Sequence, residues 1–198
     1  MEVHSLTDDA DVFTSNVYLV LGERNVLVDA GSMDGVVDEI REYTDSVDAV
    51  VLTHRHGDHV GELDSVVEAF DADVLSHVRG DVTLDDGDTV TIGDEEFDVV
   101  HTPGHSDDHL SFVSENVLFS GDVVVYNDEA FDDGSFGRTD MPGQSRETLI
   151  ESIEHLLERM PPTVDEMYSG HGDPFHGDVG EVVERALERA ERREPKYG

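Results

Sequence analysis

Four side chains that commonly bind metal ions stand close together in the first third of the sequence. Residues 53–59 read Thr-His-Arg-His-Gly-Asp-His, and the four are His54, His56, Asp58 and His59. Imidazole and carboxylate groups together suit zinc first, with iron and manganese as alternatives. Alternate residues of an extended segment point the same way, so we expect His54, His56 and Asp58 to converge and His59 to turn toward a neighbouring point. This spacing favours two adjacent metal ions over one.

Three further candidate ligands lie farther along the chain, each behind a glycine that follows a short apolar segment. They are His105, Asp122 and His171, preceded by Gly104, Gly121 and Gly170. The first group also follows an apolar run, at residues 49–52. Glycine at the end of a strand lets neighbouring backbone pack closely. Strand ends that carry ligands therefore predict a site along one edge of a sheet.

The segments that must position these ligands alternate between strand and helix patterns. Helices are predicted at 34–43, 62–70, 145–159 and 180–193, and strands at 17–21, 25–29, 49–52, 72–75, 97–100, 117–119 and 164–168, with further short strands between about 82 and 101. Ser145 is the expected N-cap of the third helix. No linker divides the chain, so we predict one domain of α/β class over residues 1–198.

The net charge of the chain indicates the environment to which the protein is adapted. The 48 acidic side chains against 12 cations give a formal charge of -36, and Lys196 is the only lysine. Such self-repulsion opposes a compact fold in dilute buffer, and salt screens it. The composition therefore indicates adaptation to a salt-rich cytoplasm, such as that of a halophilic archaeon. Apolar runs recur throughout, which excludes an acidic disordered protein.

Composition also excludes several classes of protein. The chain has no cysteine, so disulfides, thiolate metal sites and cysteine nucleophiles are absent. No basic segment followed by an apolar core starts the sequence, and no apolar stretch reaches the ~20 residues that span a bilayer. A strongly negative chain repels nucleic acid. We therefore expect a cytoplasmic protein with a small-molecule partner, no nucleic acid and no membrane, its oligomeric state left open.

These motifs resemble those of the metallo-β-lactamase fold superfamily. The pattern His-x-His-x-Asp-His, the later histidine, the aspartate and the last histidine occur in the family's order. The resemblance implies a four-layer αββα sandwich that holds two divalent metal ions. It assigns His54, His56 and His105 to one ion, Asp58, His59 and His171 to the other, and Asp122 to both. Each ion then keeps a position for water, as a catalytic site requires.

Within this superfamily the chain looks most like the glyoxalase II (hydroxyacylglutathione hydrolase) branch. That resemblance rests on the segments at 101–105, 119–122, 137–143 and 169–172. It implies hydrolysis of an acyl-thiol by a metal-bridging hydroxide that Asp58 orients, with thiolate (thiol pKa ~8.5) as an easy leaving group. The chain lacks the basic C-terminal helical extension that grips glutathione in the full-length enzymes, so it resembles the short, single-domain members.

Other functions of the same fold remain open at this point. A persulfide dioxygenase would hold one iron on His54, His105 and Asp122, a two-histidine, one-carboxylate arrangement. A lactonase or β-lactamase would use the same hydroxide as its nucleophile. A metal-binding protein without catalytic activity would hold the metal ions but hydrolyse no substrate. Asp29 is expected to form structural hydrogen bonds, His101 to bond backbone or groups around the metal, and His109 to contact ligand or substrate. The other histidines, His4, His77, His155 and His176, are expected at the surface or in packing contacts.

Overall fold

The computed structural model describes residues 1–8, 10–128 and 131–193. Contacts between Cα atoms group the chain into two compact units. The first comprises Met1–Asp85 and Thr89–Phe97, and the second comprises Asp86–Asp88 and Asp98–Gly198. Lys196 and the rest of 194–198 lie outside the described residues.

The first unit contains a six-stranded mixed sheet and three short helices. Its strands are β1 (Glu2–Ser5), β2 (Tyr18–Leu21), β3 (Val26–Val28), β4 (Ala49–Val51), β5 (Asp73–Ser76) and β6 (Val82–Thr83), and they lie in that order across the sheet. β1, β2 and β3 pair antiparallel, whereas β3 to β6 pair parallel. The helices are α1 (Val36–Arg41), α2 (Gly57–Val60) and α3 (Leu63–Phe70), and strand β7 (Thr89–Ile92) also belongs to this unit.

Apolar residues of α1 and α3 pack on one face of the first sheet. Val36 and Ile40 of α1 and Val66 of α3 form a core with strand residues such as Leu27 and Val50. Removing these side chains from water supplies the main stabilisation, about 25 cal/mol per Å² of apolar surface. The parallel strands read as continuous apolar runs because both faces of the sheet are buried. Strand β4 is thereby fixed, and it leads directly into the first group of ligands.

The second unit contains most of another mixed sheet and two long helices. Its strands are β8 (Glu95–His101), β9 (Leu110–Val113), β10 (Val117–Gly121), β11 (Glu166–Ser169) and β12 (Phe175–His176), and its helices are α4 (Arg146–Arg159) and α5 (Val179–Glu191). The sheet order is β12-β11-β10-β9-β8-β7, and β8 crosses from the first unit to the second after Phe97. β8 and β10 each pair antiparallel with β9, and β10 pairs parallel with β11. The carboxyl ends of β8, β10 and β11 therefore lie at the same edge.

Helices α4 and α5 cover one face of the second sheet. Leu149 and Ile153 of α4 and Ala186 of α5 share a core with Val100 and Leu118. Ser145 Oγ accepts a hydrogen bond from Thr148 N (3.1 Å), which confirms the predicted N-cap. α4 lies directly on the turn before His105, because a Cβ atom at Gly104 would meet Leu149 N at 2.4 Å. The absence of a side chain at position 104 thus allows α4 to pack this closely against the turn.

The predicted α/β class is confirmed, and the differences from prediction are local. All four predicted helices occur, with α1 shorter than the expected 34–43 because Gly35 (φ 98°) sets its start. Helix α2, the edge strands β1 and β12, and the buried strand β9 were not predicted. No helix within the described ranges has the length and apolar character needed to cross a membrane. A single domain over residues 1–198 and a cytoplasmic location stay predictions.

Candidate metal centre

The first set of candidate ligands, called the first ligand set below, comprises His54, His56, Asp58 and His59, all in the first unit. The prediction that this segment is extended is wrong for residues 57–59, because Gly57–Val60 forms a helical turn. In this turn, His59 N donates to His56 O (2.9 Å). His54 Nε2 lies 3.0 Å from His56 Nδ1, and His59 Nε2 lies 3.9 Å from Asp58 Oδ2. The rings of His54 and His59 also lie close together, with centroids 4.0 Å apart, so the four side chains form one cluster. Their division between two ions is what the family resemblance implies.

Asp29 holds the first set from inside the protein. Its Oδ2 atom accepts hydrogen bonds from His59 Nδ1 (2.8 Å) and Thr53 Oγ1 (2.7 Å), and its Oδ1 atom accepts one from Thr53 N (2.8 Å). Asp29 is buried and adopts a positive φ of 57°. A proton on Nδ1 leaves Nε2 of His59 as the nitrogen that can bind a metal. The expected structural role of Asp29 is confirmed.

The second set of candidate ligands, called the second ligand set below, comprises His105, Asp122 and His171, all in the second unit. They follow β8, β10 and β11, whose carboxyl ends lie at one edge of the sheet. Asp122 Oδ2 lies 3.3 Å from His105 Nε2 and 3.6 Å from His171 Nε2. Two imidazoles thus turn the same ring atom toward one carboxylate oxygen. His105 and Asp122 are buried, while His171 is 25% exposed.

The backbone of residues 137 and 138 supports two of these ligands. Arg138 O accepts a hydrogen bond from His105 Nδ1 (2.9 Å), and Gly137 N donates to Asp122 O (2.7 Å). A Cβ atom at position 137 would lie 2.2 Å from Asp122 O and 2.8 Å from His105 Nδ1. Only glycine fits this position. The segment at 137–143 is one of those that carry the family resemblance, but the support that its backbone gives to His105 and Asp122 was not predicted.

His109 supports Asp122 through a directional chain of hydrogen bonds. Asp122 N donates to His109 Nε2 (2.9 Å), so the ring proton is on Nδ1, which lies 2.8 Å from Thr102 Oγ1. Thr102 Oγ1 lies 3.1 Å from Ser111 Oγ, which donates to Ser120 O (3.2 Å). Because an amide can only donate and a carbonyl can only accept, the chain fixes a neutral His109. Two roles were predicted for His109, contact to a ligand residue or to substrate. The structure shows the first, since His109 contacts the candidate ligand Asp122.

The remaining histidines have local partners. His101 Nε2 donates to Asp107 O (2.9 Å), a backbone contact within the turn, as predicted. His155 Nε2 lies 3.1 Å from Asp86 Oδ1, and His77 Nδ1 lies 3.0 Å from Leu84 O. The ring of His4 packs against that of Tyr43, with centroids 4.2 Å apart, and the exposed His176 has its Nδ1 atom 4.0 Å from Glu166 Oε2. These contacts agree with roles at the surface or in packing.

Both ligand sets fit divalent metal ions by the chemistry of their donors. Each combines imidazole nitrogens with carboxylate oxygens, which suit zinc, iron and manganese. His59 and His105 each direct Nδ1 to a carboxylate or a carbonyl, the usual outer contact of a histidine that binds metal through Nε2. Such partners fix the tautomer and orientation of the ring. Each unit therefore presents histidine and aspartate side chains that are ordered in a way that suits metal binding.

Comparison with known proteins identifies the family. The model of the metallo-β-lactamase superfamily matches residues 10–82 and 76–196. The chain belongs to this superfamily, whose members bind divalent metal ions. A probable metallo-hydrolase of Bacillus subtilis, YqgX, is 31% identical over 185 residues, covering 80% of this chain and 85% of that protein. A hydroxyacylglutathione hydrolase of Aliivibrio fischeri is 30% identical over 159 residues, covering 74% of this chain and 56% of that enzyme.

Solved structures share the fold. ETHE1 from Myxococcus xanthus has a TM-score of 0.77 at 25% identity, covering 98% of this chain and 92% of that chain. TTHA1623, solved in a di-iron-bound form, has a TM-score of 0.69 at 29% identity, covering 88% and 98%. The predicted metallo-β-lactamase α/β sandwich fold is thereby confirmed. The chain spans about half the length of the hydroxyacylglutathione hydrolases it matches, between 48% and 56%.

Proposed function

We propose that the protein is a dinuclear metallohydrolase that cleaves the thioester bond of an acyl-thiol. The observation that carries this proposal is the position of Asp122, whose Oδ2 atom is approached by His105 Nε2 at 3.3 Å and His171 Nε2 at 3.6 Å. A carboxylate between imidazoles that arrive from different strand ends suits a ligand shared by two ions. The relative TTHA1623, with two irons, supports the count of metals.

The seven side chains of the two sets would hold the two ions as the family resemblance assigns them. Bound there, divalent ions supply a hydroxide near neutral pH and polarise the substrate carbonyl. Asp58, whose side chain is 19% exposed, can also accept a hydrogen bond from the attacking water and orient it. Asp29 and the backbone carbonyl of Arg138 keep His59 and His105 in the required tautomer. His109 fixes the backbone of Asp122 without binding an ion.

The choice of a thioester rests on leaving-group chemistry and on relatives. No side chain of the two sets is assigned as a general acid, and thiolate leaves without one because its conjugate acid has a pKa of ~8.5. Relatives named hydroxyacylglutathione hydrolase match about three fifths to three quarters of this chain. We take zinc as the first expectation for the native ion. Specificity for glutathione is not part of the proposal, because the chain spans only about half of those enzymes.

Metal analysis paired with turnover tests the proposal. Protein purified in molar potassium chloride should contain two metal ions per chain and hydrolyse lactoyl-thioesters of glutathione, coenzyme A and N-acetylcysteamine. The Asp58→Asn variant should keep its fold and lose most of this turnover, whereas Asp64→Asn, an exposed carboxylate of α3, should behave as wild type. Absence of turnover across the thioester panel by metal-replete, folded protein would refute the proposal.

The same experiment separates the alternatives of the fold. One iron per chain together with oxygen uptake on glutathione persulfide would favour the dioxygenase, with iron on His54, His105 and Asp122. Turnover of lactones or β-lactams in preference to thioesters would favour the other hydrolases. Two bound ions with no turnover of any of these substrates would favour a metal-binding protein without catalytic activity.

A further inference from the structure

Arg146, the first residue of α4, contacts the segment before that helix at two points. Its Nε atom donates a hydrogen bond to Thr139 Oγ1 (2.8 Å), and its guanidinium carbon lies 4.2 Å from the centre of the Phe136 ring. Phe136 is buried, and Arg146 and Thr139 are partly buried. A guanidinium can make both contacts at once, because its flat face packs on an aromatic ring while its N–H groups donate in the plane.

These contacts differ from those of a second arginine on the same helix. Arg159 pairs with the carboxylates of Asp86 (3.7 Å) and Asp98 (3.3 Å), as expected in a chain with 48 acidic side chains. The hydrogen bond and the ring contact of Arg146 are with neutral groups instead. Arg146 also lies in the first turn of α4, at the positive end of the helix dipole, where a cation does not stabilise the helix. The contribution of Arg146 therefore lies in its contacts outside α4.

The two residues that Arg146 contacts adjoin the two backbone groups that support the second ligand set. Phe136 directly precedes the amide that donates to Asp122 O (2.7 Å). Thr139 directly follows the carbonyl that accepts from His105 Nδ1 (2.9 Å). Each peptide unit is planar, so a short segment held at both ends has little freedom to rotate. Arg146 thus holds both ends of the segment whose backbone contacts His105 and Asp122.

The residue before Arg146 holds the backbone that leads to His105. Ser145 N donates to Gly104 O (2.9 Å), and Gly104 directly precedes His105. The start of α4 therefore contacts both the backbone of this turn and, through Arg146, the loop whose carbonyl accepts from the His105 ring. Loss of the Arg146 side chain removes the second contact and keeps the first.

We infer that Arg146 is a positioning residue for the second ligand set, and that its guanidinium orients His105 and Asp122 through the segment 136–139. This inference rests on the part of the proposed function that makes these two side chains metal ligands, and not on the thioester. Arg146 acts through Phe136 and Thr139 and is not itself a ligand. Its removal should weaken metal binding and loosen the ring of His105.

Zinc affinity, measured by competition with a chelator, tests the inference without turnover. Arg146→Met keeps an apolar stem but removes the donor and the charge, and it should weaken zinc binding roughly tenfold, the lower end of the effect of groups that support ligands. Thr139→Val removes only the acceptor and should give a smaller loss. The double variant should lose little more than Arg146→Met, because the two side chains form one interaction. The control Arg159→Met makes the same substitution on the same helix and should bind zinc as wild type does.

Proton exchange at two histidine rings separates positioning from general destabilisation. In zinc-loaded protein with isotope-labelled histidine, the Nδ1 protons of His105 and His59 both form hydrogen bonds, to Arg138 O and Asp29 Oδ2. Arg146→Met should speed solvent exchange of the His105 proton roughly tenfold, because a less firmly held partner lets the bond open more often. Exchange of the His59 proton should stay at the wild-type rate. Loss of one signal in His105→Gln assigns the His105 proton.

Each outcome has a separate meaning. Wild-type zinc affinity in both Arg146→Met and Thr139→Val, or an unchanged exchange rate at His105, would overturn the inference and leave the proposed function standing. Faster exchange at both rings would also overturn it, because the loss would then be general. Absence of thioester turnover together with the expected loss of zinc affinity would support the inference and refute the proposed function.

Discussion

The two ligand sets reach a similar arrangement by opposite routes. In the first set, four candidate ligands lie within residues 54–59, and one helical turn brings the ring of His59 beside that of His54, with centroids 4.0 Å apart. In the second set, three ligands come from three strand ends spread over residues 105–171, and the order of the sheet brings them together. The first set owes its geometry to local backbone conformation. The second owes it to long-range pairing.

The groups that hold the two ligand sets in place by hydrogen bonds also differ. Asp29, a single buried carboxylate, holds His59 and the preceding Thr53 through side-chain hydrogen bonds. Backbone groups of Gly137 and Arg138, and the ring of His109, hold the second set. A local set tolerates changes in its neighbourhood if the turn is kept. A dispersed set is sensitive to any side chain that alters how the strands and loops approach one another.

The largest effect is expected from Asp122→Ala, which should abolish hydrolysis, because this residue is proposed to bind both ions. His109→Ala should reduce turnover by roughly 10–100-fold, as expected for a group that supports a ligand from outside. Turnover should be measured on folded protein in molar salt, with metal content determined alongside. Two bound ions and near-normal turnover in Asp122→Ala would show that the shared ligand is wrongly assigned.

A pair of glycine substitutions compares the two sets directly. Gly137→Ala should disturb His105 and Asp122, because its Cβ would lie 2.2 Å from Asp122 O, and should lower stability by about 1–3 kcal/mol. Gly57→Ala, within the first set, meets no atom within 4 Å and should leave metal content and stability near wild type. Thermal unfolding and metal analysis of both variants provide the check. Equal losses in the two variants would contradict the proposed difference between the sets.

A smaller effect is expected from Asp29→Asn, which keeps the shape of the side chain and removes its charge. Affinity for metal should fall by roughly 10–100-fold, since a carboxylate behind a metal-binding histidine raises its basicity. Competition with a chelator measures this change in wild type, Asp29→Asn and the exposed control Asp64→Asn. An unchanged affinity in Asp29→Asn would mean that Thr53 and the turn α2 position His59 without it.

The smallest effect is expected from added salt, which should stabilise the whole chain and not one ligand set in particular. The melting temperature should rise as potassium chloride increases from about 0.1 M to 1 M, since the screening length falls from about 10 Å to about 3 Å. The physical reason is relief of repulsion within a chain of charge -36. Circular dichroism at fixed metal content measures the shift. A melting temperature that stays flat or falls would remove the argument for a salt-rich habitat and leave the metal centre unaffected.

The contrast between the sets also explains how much the sequence predicts. The motif at 54–59 is contiguous, so residue types and spacing suffice to nominate its ligands. His105, Asp122 and His171 are recognisable because each follows an apolar segment and a glycine. The helical turn at Gly57–Val60 was missed because four residues are too few for helical periodicity to show.

Groups that lack a chemical signature in the sequence escaped prediction. Arg138 contributes its carbonyl and Gly137 contributes an amide and the absence of a side chain, and neither role depends on a recognisable motif. Edge strands β1 and β12 were missed because they are short and only partly buried. Ser145 was predicted correctly because N-capping is a local property of the side chain. Long-range contacts made by backbone atoms appear only in the folded structure.

The series of hydrogen bonds through His109 limits which amino-acid substitutions this protein can accept during evolution. The chain starts at the amide of Asp122 and ends at the carbonyl of Ser120, so its two ends lie within three consecutive residues. Its direction is fixed at both ends, and a buried donor left without an acceptor costs about 1–3 kcal/mol. Loss of the hydroxyl of Thr102 or Ser111, or of the imidazole of His109, therefore breaks the sequence of donors and acceptors. In descendants of this chain, we expect these three positions to be kept together or to change together.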